Sequence, residues 1–144
     1  MSNISDAVSR ITSTYQAAVL AKNADALMKL YDPKVQVFDA WGVWSHDGAD
    51  AWRRTVEAWF GSLGPERVEV SFDDARELGG PAFTVFSAIV CYASVSAQGA
   101  APKAMHNRLT WVLKTSGHVL RIVHEHTSAP IGFDDSKAIL QHTP

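Results

Sequence analysis

Arg108, His124 and His126 set a permanent cation beside a His-x-His pair, on two C-terminal segments that alternate apolar and polar character. Side chains two apart on a strand project together, so Arg108, Thr110 and Val112 form one row and Ile122, His124, His126 and Ser128 another. Charged groups on a buried sheet face are costly unless partnered, so these rows point to a cavity rather than a solid core. In such a cavity Arg108 binds a small carboxylate or polarises a carbonyl, His126 exchanges a proton near neutral pH, and His124 and His106 contact the substrate. The competing reading is that Arg108 forms a buried ion pair with Asp39 or Glu125 and that the histidines bond to backbone or to each other. Glu125 and Arg121 fall on the opposite strand face, in a subunit interface or in solvent. As a metal set, His106, His124 and His126 lack a convergent carboxylate, so no metal and no cofactor is expected.

Five tryptophans are many for 144 residues. Aromatic walls suit a planar or greasy ligand, but each indole also buries a large area. Trp41 and Trp44, beside Gly42, fit a pocket rim, while Trp52 and Trp59, two helical turns apart, fit the core. Trp59 is retained with Trp41 and Trp44 as a substrate contact.

The elements that must hold these groups follow from periodicity. Apolar residues recur at three and four from Ser5 to about Lys22 (Val8, Ile11, Tyr15, Ala18, Val19), with Ser5 or Asp6 as N-cap. Asn23 caps a short second helix through Leu30, stopped by Asp32-Pro33. A strand from Val35 to Trp44 bends at Gly42, and a turn at Ser45–Gly48 precedes a third helix capped by Asp47 or Asp50. Its stripe is Trp52, Val56, Trp59, Phe60 and Leu63, and Gly64-Pro65 ends it. Strands are then predicted over Val68–Asp73 and Ala82–Ala97, followed by a Gln98–Pro102 loop and a hairpin of Met105–Thr115 with His118–Ser128. This order predicts one α+β domain over residues 1–144, three helices against a mostly antiparallel sheet, with 132–144 a peripheral tail. Both alternating rows of Phe83–Val95 are largely apolar. Three helices cover one sheet face, so the other is expected to pair with a second copy.

The run from Arg108 through the Gly117 turn to His124-x-His126-x-Ser128-x-Pro130 resembles the C-terminal signature of the NTF2-like superfamily, in its SnoaL-like and calcium/calmodulin-kinase association-domain branches. That resemblance implies a cone-shaped, cystatin-like α+β fold with a pocket between a strongly curved sheet and its helices. Tyr15, and Asp39 within Val37-Phe38-Asp39-Ala40-Trp41, are similar to the ketosteroid isomerase branch, where the matching tyrosine donates to an oxyanion and the matching aspartate moves the proton. Proton transfer beside a carbonyl needs a carboxylate in an apolar pocket and a neutral donor, and Tyr15 and Asp39 supply one of each. The isomerase branch carries a protonated acid on the penultimate long strand, whereas Met105–Leu113 has none, so a steroid-type substrate is disfavoured.

Composition narrows the field further. A net charge of −2 without a basic run gives no footprint for nucleic acid or an anionic membrane. Cys91 is the sole cysteine, which rules out an intrachain disulfide and a Cys-rich zinc site. The N-terminus lacks a cationic, apolar leader, so a cytoplasmic location is expected. Dinucleotide, phosphate-loop, serine-elbow and Cys-x-x-Cys motifs are all missing. The expectation is a SnoaL-like small-molecule-binding protein: a cofactor-free isomerase, cyclase or dehydratase acting on a carbonyl or carboxylate compound through Asp39, Tyr15 and His126. The alternatives are a non-catalytic dimeric binding or assembly module, or an epoxide hydrolase-like enzyme in which Asp39 faces a second carboxylate such as Asp73, Asp74 or Glu77.

Overall fold

A computed structural model describes residues 4–96, 98–99 and 102–143. The expected strand end at Ala97 and residues 100–101 of the following loop lie outside the described residues, as do residues 1–3 and 144.

Helix α1 (Asp6–Leu20) begins where the Ser5 hydroxyl accepts the Val8 N–H, and it buries the predicted stripe Val8, Ile11, Tyr15, Ala18 and Val19. Helix α2 (Ala24–Met28) is capped by the Asn23 side chain, which accepts the Ala26 N–H. It stops earlier than expected because the chain is already a strand at Tyr31: β1 runs Tyr31–Phe38 and takes in Asp32-Pro33. Pro33 has no N–H to give to a ladder, and the pairing of β1 is irregular between Tyr31 and Gln36. The segment expected to be a bent continuation is instead a loop over 39–45, then a two-residue strand β2 (His46–Asp47) that pairs back onto β1.

Helix α3 (Ala49–Ser62) buries Trp52, Val56 and Phe60. Its N-cap is Gly48 rather than Asp47 or Asp50, at φ 89° and ψ 155° with no side-chain cap. The Gly48 N–H goes to the Val35 carbonyl at 2.7 Å, which ties the helix start to β1. Only glycine holds that backbone region without strain, so the tie selects the residue.

Strands β3 (Arg67–Gly79), β4 (Phe83–Val95), β5 (Ala104–Ser116) and β6 (Val119–Ser128) form the meander, and the sheet order is β2-β1-β6-β5-β4-β3. All neighbours are antiparallel except β1 and β6. Gly117 makes the hairpin turn at φ 62°. The helices lie on one face of this curved sheet, α1 over β3 and α3 over β1. Phe86, Val90, Leu109, Trp111, Leu113 and Ile122 point into that interior and are fully buried. Each such side chain contributes roughly 2 kcal/mol of burial.

One register shift decides the rest. Between Val112 and Leu113 the partner on β6 jumps from His124 to Ile122, leaving Val123 as an extra residue. Ile122 faces inward before this bulge, and Glu125 and Thr127 face inward after it. The expected row Ile122-His124-His126-Ser128 is therefore split between two faces. Past Ser128 the strand β5 loses its β6 neighbour, and the tail takes over: His106 N–H donates to the Leu140 carbonyl, and Gln141 Nε2 to the Ala104 carbonyl. Among the described residues no helix is long and apolar enough to cross a membrane.

Candidate functional site

A cavity of about 400 Å³ opens between α1, α3 and the interior face of the sheet. Apolar area dominates its wall, and Trp41, Trp52 and Trp59 line it together with two acids, Asp39 and Glu125, two phenols, Tyr15 and Tyr92, and one amide, Asn107. Among the described residues no lysine, arginine or histidine belongs to this lining.

Each polar group is held by a distinct element. Glu125 is 1% exposed, set into the wall by the β6 bulge. Its Oε1 accepts from the Tyr31 hydroxyl at 2.5 Å and from Trp111 Nε1 at 2.9 Å. These donors favour the charged form, but desolvation outweighs them, and the carboxyl is pushed up to about 7. Asp39 follows the last residue of β1 and is half-buried at the cavity wall. Burial raises its pKa, opposed by the Thr127 hydroxyl, which donates to Oδ1 at 3.1 Å, by backbone amides and by His46. The same Thr127 oxygen accepts the Ala40 N–H at 2.9 Å, so β6 fixes the loop that carries Asp39.

Tyr15 projects from α1 between Phe72 and Trp111, and its hydroxyl lies 2.9 Å from that of Tyr92 on β4. Burial, and then the charge each would place near the other, raise Tyr15 well above the usual phenol range; burial and then Glu125 raise Tyr92. Both remain neutral donors near pH 7. One hydrogen bond joins the pair, so one O–H is left to donate elsewhere. Trp59 packs edge-on against Tyr92 at 5.8 Å.

The residues expected from sequence divide cleanly. Tyr15, Asp39, Trp41 and Trp59 line the cavity. Arg108, His106, His124 and His126 do not. Arg108 pairs with Ile89 and Ser128 on the outward row of the sheet, exposed, and donates from Nε to Ser128 Oγ at 3.0 Å. His124 and His126 pair with Val112 and Thr110 on that same outward row, their rings edge-on to Phe38 at 5.0 and 5.5 Å. His124 is shifted downward by partial burial and then by His126. His106 faces outward too and meets the tail, its Nδ1 accepting from the His142 N–H at 3.3 Å. Trp44 is 97% exposed. The expectation that the Arg108 and histidine rows look into the hollow is thus corrected, and so is the ion pair of Arg108 with Asp39 or Glu125. The heavier apolar row Leu109, Trp111 and Leu113 claims the interior, so the Arg108 row must face out. Glu125, expected in an interface or in solvent, is instead the most deeply buried acid of the cavity. Asp73 and Asp74 are exposed, and the Glu77 carboxylate accepts the Ser5 N–H at the start of α1, so none of these is the second acid of the wall. Among the described residues no three His, Cys, Asp or Glu side chains lie close enough to hold a metal ion.

Tyr92 and Asn107 join the wall without having been expected there, Glu125 joins it from a position expected in an interface, in solvent or in an ion pair with Arg108, and Trp52, expected in the core, lines it too. Asn107 and Tyr92 were accessible in principle, since both share the row of the buried residues on their strands. Glu125 required the bulge.

A family model described as a SnoaL-like domain matches residues 8–132. No curated protein matches the chain. Among solved structures, an NTF2-like protein of unknown function from Pseudomonas putida KT2440 is similar with a TM-score of 0.80 at 18% identity, covering 95% of this chain and 94% of its own. Aln2 from a Streptomyces species is similar with a TM-score of 0.78 at 15% identity, over 85% of this chain and 87% of its own. An NTF2-like protein with a cystatin-like fold from Novosphingobium aromaticivorans has a TM-score of 0.76 at 10% identity, over 91% and 84%. At these identities the likeness concerns the fold.

Proposed function

The chain belongs to the SnoaL-like domain family of the NTF2-like superfamily, and from that premise we propose that it is a cofactor-free acid–base enzyme acting on a neutral carbonyl compound. The observation that carries the reading is a single apolar cavity walled by two acids whose pKa values are both raised and by a neutral tyrosine pair. Such a set moves protons. Asp39, the less buried acid, is the base that removes a proton beside the carbonyl. The free O–H of the Tyr15–Tyr92 pair faces the oxygen on which negative charge develops. Glu125, close to half protonated at pH 7, returns a proton to carbon or to a departing hydroxyl, which makes isomerisation, cyclisation or dehydration accessible.

The charge of the wall bears on the substrate. With two acids and, among the described residues, no cation in the lining, a carboxylate ligand would meet repulsion without a partner. The neutral carbonyl compound is favoured over the carboxylate that an inward Arg108 would have suited. His126 has no part in this chemistry.

Exchange of α-hydrogens for deuterium in small cyclic ketones tests the proposal without knowledge of the natural substrate. Wild-type protein in deuterium oxide accelerates exchange, and Asp39→Asn abolishes the acceleration. Equal exchange with and without protein across a panel of ketones that bind would leave only a binding module. A second reading, hydrolysis of an epoxide, is favoured by the pairing of Asp39 with Glu125: one activates water while the other protonates the ring oxygen. Diol formation from a neutral epoxide distinguishes it.

The outward sheet face, with Val85, Ile89, Cys91 and Val112 in neighbouring rows, is further proposed to pair with a second copy. A monomeric mass at micromolar concentration in sedimentation would count against that pairing.

A further inference from the structure

Two polar side chains in the cavity wall carry buried atoms without a hydrogen-bond partner among the described residues: Asn107 Oδ1 and Trp52 Nε1. Asn107 is 4% exposed and Trp52 7%. Buried polar groups are almost always satisfied, so a wall atom without a partner marks where a ligand group is accommodated. The case is stronger for Asn107, which stands on the interior row of β5 between the apolar Met105 and Leu109, whereas the other buried polar group of that row, the Trp111 indole, is satisfied by Glu125. The Trp52 indole leans on the Tyr31 hydroxyl closely enough to favour charge there, yet makes no aligned hydrogen bond with it.

The senses of the two atoms are opposite. Asn107 Oδ1 accepts, so it calls for a donor; Trp52 Nε1 donates, so it calls for an acceptor. The Tyr15–Tyr92 pair is a third polar point: Tyr92, opposite Met105, is the diagonal neighbour of Asn107 on the same face of the sheet. A bare ketone meets the phenols and leaves Asn107 unanswered. A carboxylate supplies no donor and meets the two acids. A hydroxyl group supplies both a donor and an acceptor without charge.

We infer that Asn107, assisted by Trp52, is a specificity-determining site for a hydroxyl group carried by the substrate in addition to its reacting carbonyl, so that the ligand is a neutral hydroxy-carbonyl compound. This rests on the acid–base reading only for the location of the carbonyl end. The hydroxyl subsite is a matter of binding and is measurable without turnover. Sites built to hydrogen-bond a substrate hydroxyl reject analogues that lack it, because the wall group is then buried unpaired.

The probes are α-tetralone and its derivatives bearing one phenolic hydroxyl on the aromatic ring. Affinities are read by titration of tryptophan fluorescence or of amide and indole resonances. The wild-type protein is expected to bind one of the phenolic ketones about 10- to 100-fold more tightly than the parent, and Asn107→Leu to bring that ratio close to one. Asn107→Thr, which restores an acceptor at a different reach, is expected to recover part of the ratio and serves if the leucine variant does not fold. Equal affinities in the wild type, no binding of any of these ketones, or full discrimination by Asn107→Leu would each overturn the inference. Deuterium exchange on the same samples separates the two claims. Discrimination without exchange removes the catalytic reading and keeps this one, and exchange without discrimination does the reverse.

Discussion

Glu125 offers the sharpest quantitative test. Its carboxyl is fully enclosed, and burial outweighs the donors Tyr31 and Trp111 to bring it to about 7 from an ordinary 4.5. A carboxyl with a raised folded-state pKa binds its proton more tightly in the folded chain than in the unfolded one. Its contribution to stability is therefore complete below about pH 4.5 and is lost as pH rises to about 7. At about 1.4 kcal/mol for each tenfold, that gap amounts to about 3 kcal/mol. Glu125→Gln keeps an oxygen to accept from Tyr31 and Trp111 and removes the titration. His124 also titrates with a shifted pKa, but on the other sheet face, so its contribution cancels in the difference between wild type and variant; the charge of Asp39 acts on Glu125, and the difference carries that coupling as well. Urea unfolding at pH 4.5 and pH 8 should show the variant gaining about 3 kcal/mol on the wild type over that interval, equivalent to roughly 10 °C in Tm. A difference that stays constant with pH would refute the claim that an ionisable group is confined there.

Further expectations follow from the same geometry. Trp111→Phe removes one of the two donors to Glu125, so the pH midpoint of the Glu125-dependent loss should move above 7 in the same unfolding series. Tyr15→Phe leaves the ring packed on Phe72 and Trp111 and deletes one hydroxyl of the pair, so any ketone exchange rate should fall about 100-fold or more. Arg108→Ala and His126→Ala, both on the outward face, should leave ketone binding as it was in a thermal-shift titration; loss of binding in either would restore the inward reading. Gly48→Ala forces a side chain into the φ 89°, ψ 155° region, and denaturant unfolding should show a loss of roughly 1–3 kcal/mol.

The helices and the meander were legible because their signals are local. The stripe from Val8 to Val19 and the Ser5 and Asn23 caps repeat within a few residues, and the Gly117 turn between two apolar alternations announces a hairpin. What was lost was phase. Strict alternation carried Ile122 inward and took His124 and His126 with it, but one extra residue, Val123, reverses every side chain that follows. A bulge has no composition of its own at this position, so Glu125 was exchanged for its neighbours. On β5 the error was one of weight. Arg108 marks its own row as polar, but Leu109, Trp111 and Leu113 bury far more area and have the stronger claim on the interior. Asp39 and Tyr15 did not depend on that phase: one follows the end of a strand, and the other sits on a helix whose stripe was unambiguous. The N-cap of α3 was missed for a related reason, since the Gly48 amide is fixed by Val35, a partner thirteen residues away that no local rule names.

The account depends above all on which face of the sheet receives the ligand, and nuclear magnetic resonance reads this directly. Titration of labelled protein with α-tetralone should shift the indole N–H resonances of Trp52 and Trp59 and the backbone amides of Tyr15, Asp39 and Asn107. The amides of Arg108, His124 and His126, whose side chains lie on the opposite face, should shift least. Shifts gathered on Arg108 and the histidines, with the indoles of Trp52 and Trp59 unmoved, would contradict it.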